Sequence, residues 1–84
     1  MATPTEHAAA VGAFIIRTNA PHLTPPTDME MLAAQVHAHL STASGAGESY
    51  TNAEACLTAA ETVPEWSRRS RLLLALVYAI RADR

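Results

Sequence analysis

Apolar residues return at three- and four-residue intervals in four separate stretches of this chain, the spacing that gathers them on one side of an α-helix. The first stretch, about Glu6–Thr18, puts Val11, Phe14, Ile15 and Thr18 on one stripe, with Thr5 placed to cap its start. Gly12 weakens that helix by roughly 1 kcal/mol relative to alanine and offers a neighbouring helix room to approach. The second stretch begins with "TDME", where Thr27 and Glu30 have the spacing of a capping box and Asp28 adds negative charge at the positive helix end. Met29, Leu32, Val36, Leu40 and Ala43 then share a face. The third repeats the device with Thr51 and Glu54, ahead of a stripe of Ala53, Cys56, Leu57 and Ala60. The fourth opens at Pro64 or Glu65, where proline is well tolerated, and runs almost to the C-terminus.

The breaks between these stretches are chemically distinct. "NAPHLTPPT" (residues 19–27) holds three prolines that cannot continue a helix, and Asn19 suits a left-handed C-terminal residue. It reads as a rigid connector or a binding loop. "SGAGES" ends the second helix, and Pro64 ends the third. Alanine is abundant and runs of β-branched and aromatic residues are missing. The expected architecture is all-α: a compact bundle of about four helices, with the C-terminal helix central, in one domain spanning residues 1–84.

The fourth helix is apolar over an unusual arc. Trp66, Leu73, Leu76, Val77 and Ile80 form a central stripe, with Leu72 and Leu74 on either side, together covering roughly 200° of the wheel. That is twice what a surface helix needs. Such a helix is either the middle of its own bundle or half-buried in a partner. The two readings are compatible, because an 84-residue chain buries only roughly 60–65% of its surface.

Charge changes the picture in one place. The net charge of −2 hides an asymmetry. Residues 1–65 carry seven acidic residues against Arg17, whereas residues 66–84 carry Arg68, Arg69, Arg71, Arg81 and Arg84 against Asp83. Arg68, Arg69 and Arg71 open a helix, where a cation meets the positive end of the helix dipole. Three readings stay open: pairing with Glu54, Glu61 or Glu65 inside the fold, contact with a phosphate backbone, or contact with an acidic protein. Arg69, which falls within the apolar stripe, is the arginine expected to have an internal partner. All six basic residues are arginine, a bias that can come from base composition alone.

Catalytic and metal chemistry find little footing. His37 and His39 point roughly 200° apart on a helix, and His7 and His22 lie in other segments, so each histidine is expected to be satisfied locally or solvated. Cys56, the single cysteine, reads as a small core residue and fits a reducing compartment. Ser67 and Ser70 among the arginines are candidate phosphorylation sites. No glycine-rich phosphate loop is present, because "SGAGES" lacks the lysine and the spacing. No cofactor is implied.

Neither a secretion signal nor a membrane helix is convincing, since the run Leu72–Ile80 falls well short of the about 20 residues a span requires. A cytoplasmic protein is expected. The favoured function is a small non-enzymatic protein-interaction or regulatory module that dimerises or docks a protein partner through the fourth helix. Trp66, Leu72, Leu74 and Tyr78 would supply the apolar contact, with Arg68 and Arg71 as its charged rim against an acidic partner. The alternative is a helix-turn-helix-like DNA-binding regulator reading "NAEACLTAAETVPEWSRRSR" as its unit, with Arg68, Arg69 and Arg71 on phosphate. The missing turn glycine and the acidic net charge weigh against it.

Overall fold

In a computed structural model, residues 2–20 and 24–84 are described. They form four helices: α1 (Pro4–Thr18), α2 (Asp28–Thr42), α3 (Glu48–Thr62) and α4 (Glu65–Ala82). Each start follows from local chemistry. Thr3 caps α1, not Thr5: its hydroxyl accepts the Glu6 N–H, the Glu6 carboxylate accepts the Thr3 N–H, and Pro4 takes the first turn. Thr27 and Glu30 cap α2 as the sequence predicts.

The start of α3 differs from expectation. The helix begins one turn earlier, at Glu48, with Gly47 as its N-cap at φ +97°. Thr51 therefore lies inside the helix, its hydroxyl donating to the Gly47 carbonyl, and Glu54 is free for other work. Gly47 and Gly45 (φ +83°) are the two described glycines in the left-handed region, where a Cβ is strained. Gly12 behaves otherwise: a Cβ there would meet nothing, so close helix approach is not its reason. Asn19 does end α1, but in the right-handed region. Of the Pro-rich segment, Pro21, His22 and Leu23 lie outside the described residues.

Helix α4 packs against α3 and α2, α1 lies along α2, and α2 and α3 hardly touch. The C-terminal helix is thus central, as expected. Val36 and Leu40 of α2, Tyr50 and Ala53 of α3, and Ala75 and Ala79 of α4 form the buried cluster. The extended third helix is what brings Tyr50 inside; its hydroxyl donates to the Ala2 carbonyl at 2.7 Å and ties down the N-terminus. The domain measures 40 × 28 × 19 Å. Its shortest dimension is about two helix diameters, so a helix flanked on two sides still faces solvent on another.

The far ends are laced by polar contacts. Arg17 at the end of α1 pairs with Glu30 at the start of α2. Asp83 accepts from the Thr42 hydroxyl and lies 3.3 Å from His39 Nδ1, joining the end of α4 to that of α2. These two hydrogen bonds, Thr42 foremost, hold the Asp83 carboxyl below its usual 3.8. His39 is half-buried there and satisfied by this contact, as expected of a locally satisfied histidine.

Candidate functional site

The apolar arc of α4 divides into two faces, and the division is not the expected one. Leu72, Ala75 and Ala79 point inward, with Leu72 only 4% exposed. Small alanines let α4 come close to two helices at once, which a row of leucines and a tryptophan would not allow. The stripe centred on Trp66, Leu73 and Val77 is therefore turned outward. Trp66 is 85% exposed and Val77 63%, with Leu73 and Leu74 also on the surface. Leu76 and Tyr78, at the edges, pack against the core cluster.

This settles where each candidate contact residue sits. Trp66, Arg71 and Leu74 are exposed. Tyr78 is half-buried and shared with the core. Leu72 is a core residue, so its side chain is not available as an external contact. Leu73 and Val77, on the central stripe of the wheel that the sequence leaves as either core or interface, belong to the outward face.

The arginines separate just as clearly. Arg68 bends back to the end of α3, where its Nε donates to the Ala60 carbonyl at 2.9 Å and Nη2 reaches the Val63 carbonyl at 3.4 Å. Helix α3 has no basic residue in its last turn and no side chain of its own on those carbonyls. Arg68 supplies both the donors and the positive charge that a helix C-terminus favours. The misfit of a cation at the start of α4 is thus resolved by the neighbouring helix end, and Arg68 is removed from both the rim and the phosphate readings. Arg69, expected to hold an internal partner, is exposed, as is Arg71. No ion pair among the described residues involves any arginine of residues 66–84.

A second feature was invisible in the sequence. His7 on α1, 2% exposed, has Glu54 of α3 on Nε2 and His37 of α2 on Nδ1, the two Nδ1 atoms 2.7 Å apart. The Tyr50 ring meets His7 edge-on. The partners lie 30 and 47 residues away from His7, so no local motif announces them. Burial first, then the neighbouring His7 ring, lowers His37 below its ordinary 6.5, against the opposing pull of Glu54 and Glu61. His7 spends one ring nitrogen on each neighbour, so the three side chains do not converge on a point. No group of three or more His, Cys, Asp or Glu among the described residues is placed to hold a metal ion.

Because α2 and α3 stand apart over α4, a groove of about 570 Å³ opens between them. Met29, Ala33, Leu57, Ala60 and Leu72 give it an apolar lining, and His37 lines it as well. Glu61, Glu65 and Arg68 bring charge to it. Cys56 is a free thiol, half-buried and packed against the core cluster. No helix of the described residues is long and apolar enough to cross a membrane. No protein-family model matches the chain, and neither a curated protein nor a solved structure is significantly similar to it.

Proposed function

We propose that this protein is a small non-enzymatic interaction module that docks a protein partner on the outward face of α4, and that the docking segment of the partner is an amphipathic helix with acidic flanks. The observation that carries this reading is the outward stripe itself: the largest side chain of the domain, Trp66, stands 85% exposed on the same face as Leu73 and Val77. A single exposed leucine means little, but a contiguous apolar face with a tryptophan is the composition of an interface core.

Charge chooses the partner. Arg69 flanks the stripe on one side and Arg71 and Arg81 on the other, all exposed and none paired with a carboxylate. Pairing α4 with the α4 of a second copy sets arginine against arginine in either orientation, because both ends of the helix are basic. An acidic helix meets the same rim favourably, which steers encounter and fixes register.

DNA remains the rival for Arg69 and Arg71, but an apolar stripe between them is a poor match for phosphate, and Arg68 is already engaged. Trp66, the single tryptophan, is a built-in reporter. Its emission is expected to shift to shorter wavelength on titration with an amphipathic leucine–glutamate peptide, and not with the leucine–lysine counterpart or a duplex DNA. Binding of DNA with a steep salt slope would replace this reading. An emission shift that depends on protein concentration alone would identify self-association instead.

A further inference from the structure

We propose that α1 is a releasable helix: charging both rings of the His7–His37 pair in mildly acidic solution undocks it from a body of α2, α3 and α4 that stays folded.

Two observations set α1 apart. Among the described residues, no side chain of α1 belongs to the buried apolar cluster, which α2, α3 and α4 build alone. The α1 backbone also lies against α2 and against no other helix. Val11 and Phe14 are half-buried, and the one fully buried residue of the helix is His7. Its seat is thus a polar pin, with Glu54 of α3 on one ring nitrogen of His7 and His37 of α2 on the other. Two further ties are the Tyr50 hydroxyl on the Ala2 carbonyl and the exposed Arg17–Glu30 pair, which contributes little. A helix of 15 residues has little stability of its own, so α1 unwinds once it leaves.

The pin admits one charge and not two. The two Nδ1 atoms stand 2.7 Å apart and share one proton, whichever ring owns it. A charged imidazole carries a proton on each nitrogen, so two charged rings bring two protons into a contact with room for one. The docked pair therefore carries at most one charge. In the undocked chain both rings reach water, and each takes up a proton below its ordinary value of about 6.5. The undocked state then binds at least one proton more, so acid favours it by about tenfold for each pH unit. Burial, and next the His7 ring, lowers His37 in the fold, which is the same direction.

The groups around the pair come from all four helices. Tyr50, Glu54 and Glu61 face it from α3, Glu6 stands beside it on α1, and Glu30, Glu65 and Arg68 share the groove that His37 lines. Imidazole is the one side-chain type among them that ordinarily changes charge between about pH 5 and pH 8. Glu54 and Glu61 favour a charge on His37, but neither makes room for a second proton between the rings. The release leaves the outward face of α4 untouched, because α1 does not pack on α4.

The test is backbone hydrogen exchange of the full chain, followed by NMR from about pH 7.5 down to about pH 5, across the imidazole range. Each rate is expressed as protection relative to an unstructured peptide at the same pH. The Val11 and Phe14 amides report α1, and those of Ala53 and Ala79 report the core. Protection of Val11 and Phe14 is expected to fall by about tenfold per pH unit and to vanish first, while Ala53 and Ala79 stay protected at the lower limit. H37Q and H7Q each keep a hydrogen-bonding side chain in the contact and remove one ring, so a doubly charged pair cannot form. Both are expected to hold α1 in place down to the lower limit. Loss of all four amides in one step, or α1 protection that does not fall with pH, would overturn the proposal. So would a fall unchanged in either variant, or α1 open in both variants at the upper limit.

Discussion

The inward and outward faces of α4 are both apolar and have opposite fates. Leucines, valine and tryptophan dominate the outward face, whereas the inward face is built around Leu72, Ala75 and Ala79. Size decided the matter, not hydrophobicity. A helix that must lie against both α2 and α3 needs short side chains where it touches them. The bulky residues were left for the surface, where a 19 Å thick domain has nothing to cover them. An apolar face that the fold cannot use is the one available to a partner.

The sharpest way to break this comparison is to cut each face in turn. Leu72→Ala removes a buried side chain, and thermal or urea unfolding is expected to show a loss of about 2–4 kcal/mol. Trp66→Ala, a larger deletion on the outward face, is expected to stay within about 0.5 kcal/mol of the parent. Equal losses would mean that both faces are core.

The buried histidine pair ranks next. His7→Ala strips Glu54 and His37 of their common partner, and the same unfolding measurement is expected to register a loss of about 2 kcal/mol. A loss no greater than that of a surface substitution would mean that water replaces His7 without penalty.

Acid should probe the same pair without mutation. His37 is lowered from 6.5 in the fold, so as pH falls the unfolded chain takes up that proton first. Its contribution is whole above 6.5 and declines as the pH drops below that value. Asp83 is lowered from 3.8, so its share is present above 3.8 and is lost as the pH falls through its folded value. Melting temperature is expected to fall in two separate acid steps, and His37→Gln is expected to delete the upper one. A flat profile between pH 7 and 5 would contradict the placement of His37.

The smallest effect separates the three arginines. Arg68→Ala uncaps the end of α3 and is expected to cost about 1 kcal/mol, whereas Arg69→Ala and Arg71→Ala are expected to leave the melting temperature unchanged. The reverse order would place the internal partner on Arg69.

How much of this was legible in the sequence depends on how far apart the cooperating residues lie. The four helices, the Thr27–Glu30 cap and the core stripe of α2 rest on spacings of three and four residues, and all are present. The start of α3 was misread because Thr51 and Glu54 imitate a capping box, while the Gly47 turn that starts the helix carries no side chain to signal it. Which face of α4 turns inward stayed open in the sequence, and Leu72 was placed on the wrong side, because a wheel weighs hydrophobicity and ignores how close two neighbours must come. Arg68 on the α3 carbonyls is legible only once α3 and α4 are known to meet at their shared turn. The His7–His37–Glu54 contact joins three helices, and no periodicity could reveal it.

The most direct test of the outward face is the unfolding of the double variant Leu73→Glu/Val77→Glu, followed by circular dichroism and by Trp66 emission. A surface stripe predicts a folded helical domain with a melting temperature within a few degrees of the parent, still showing solvent-exposed tryptophan, and no longer responding to the acidic peptide. Loss of the cooperative transition would mean that Leu73 and Val77 hold the core, and that α4 offers no surface for a partner.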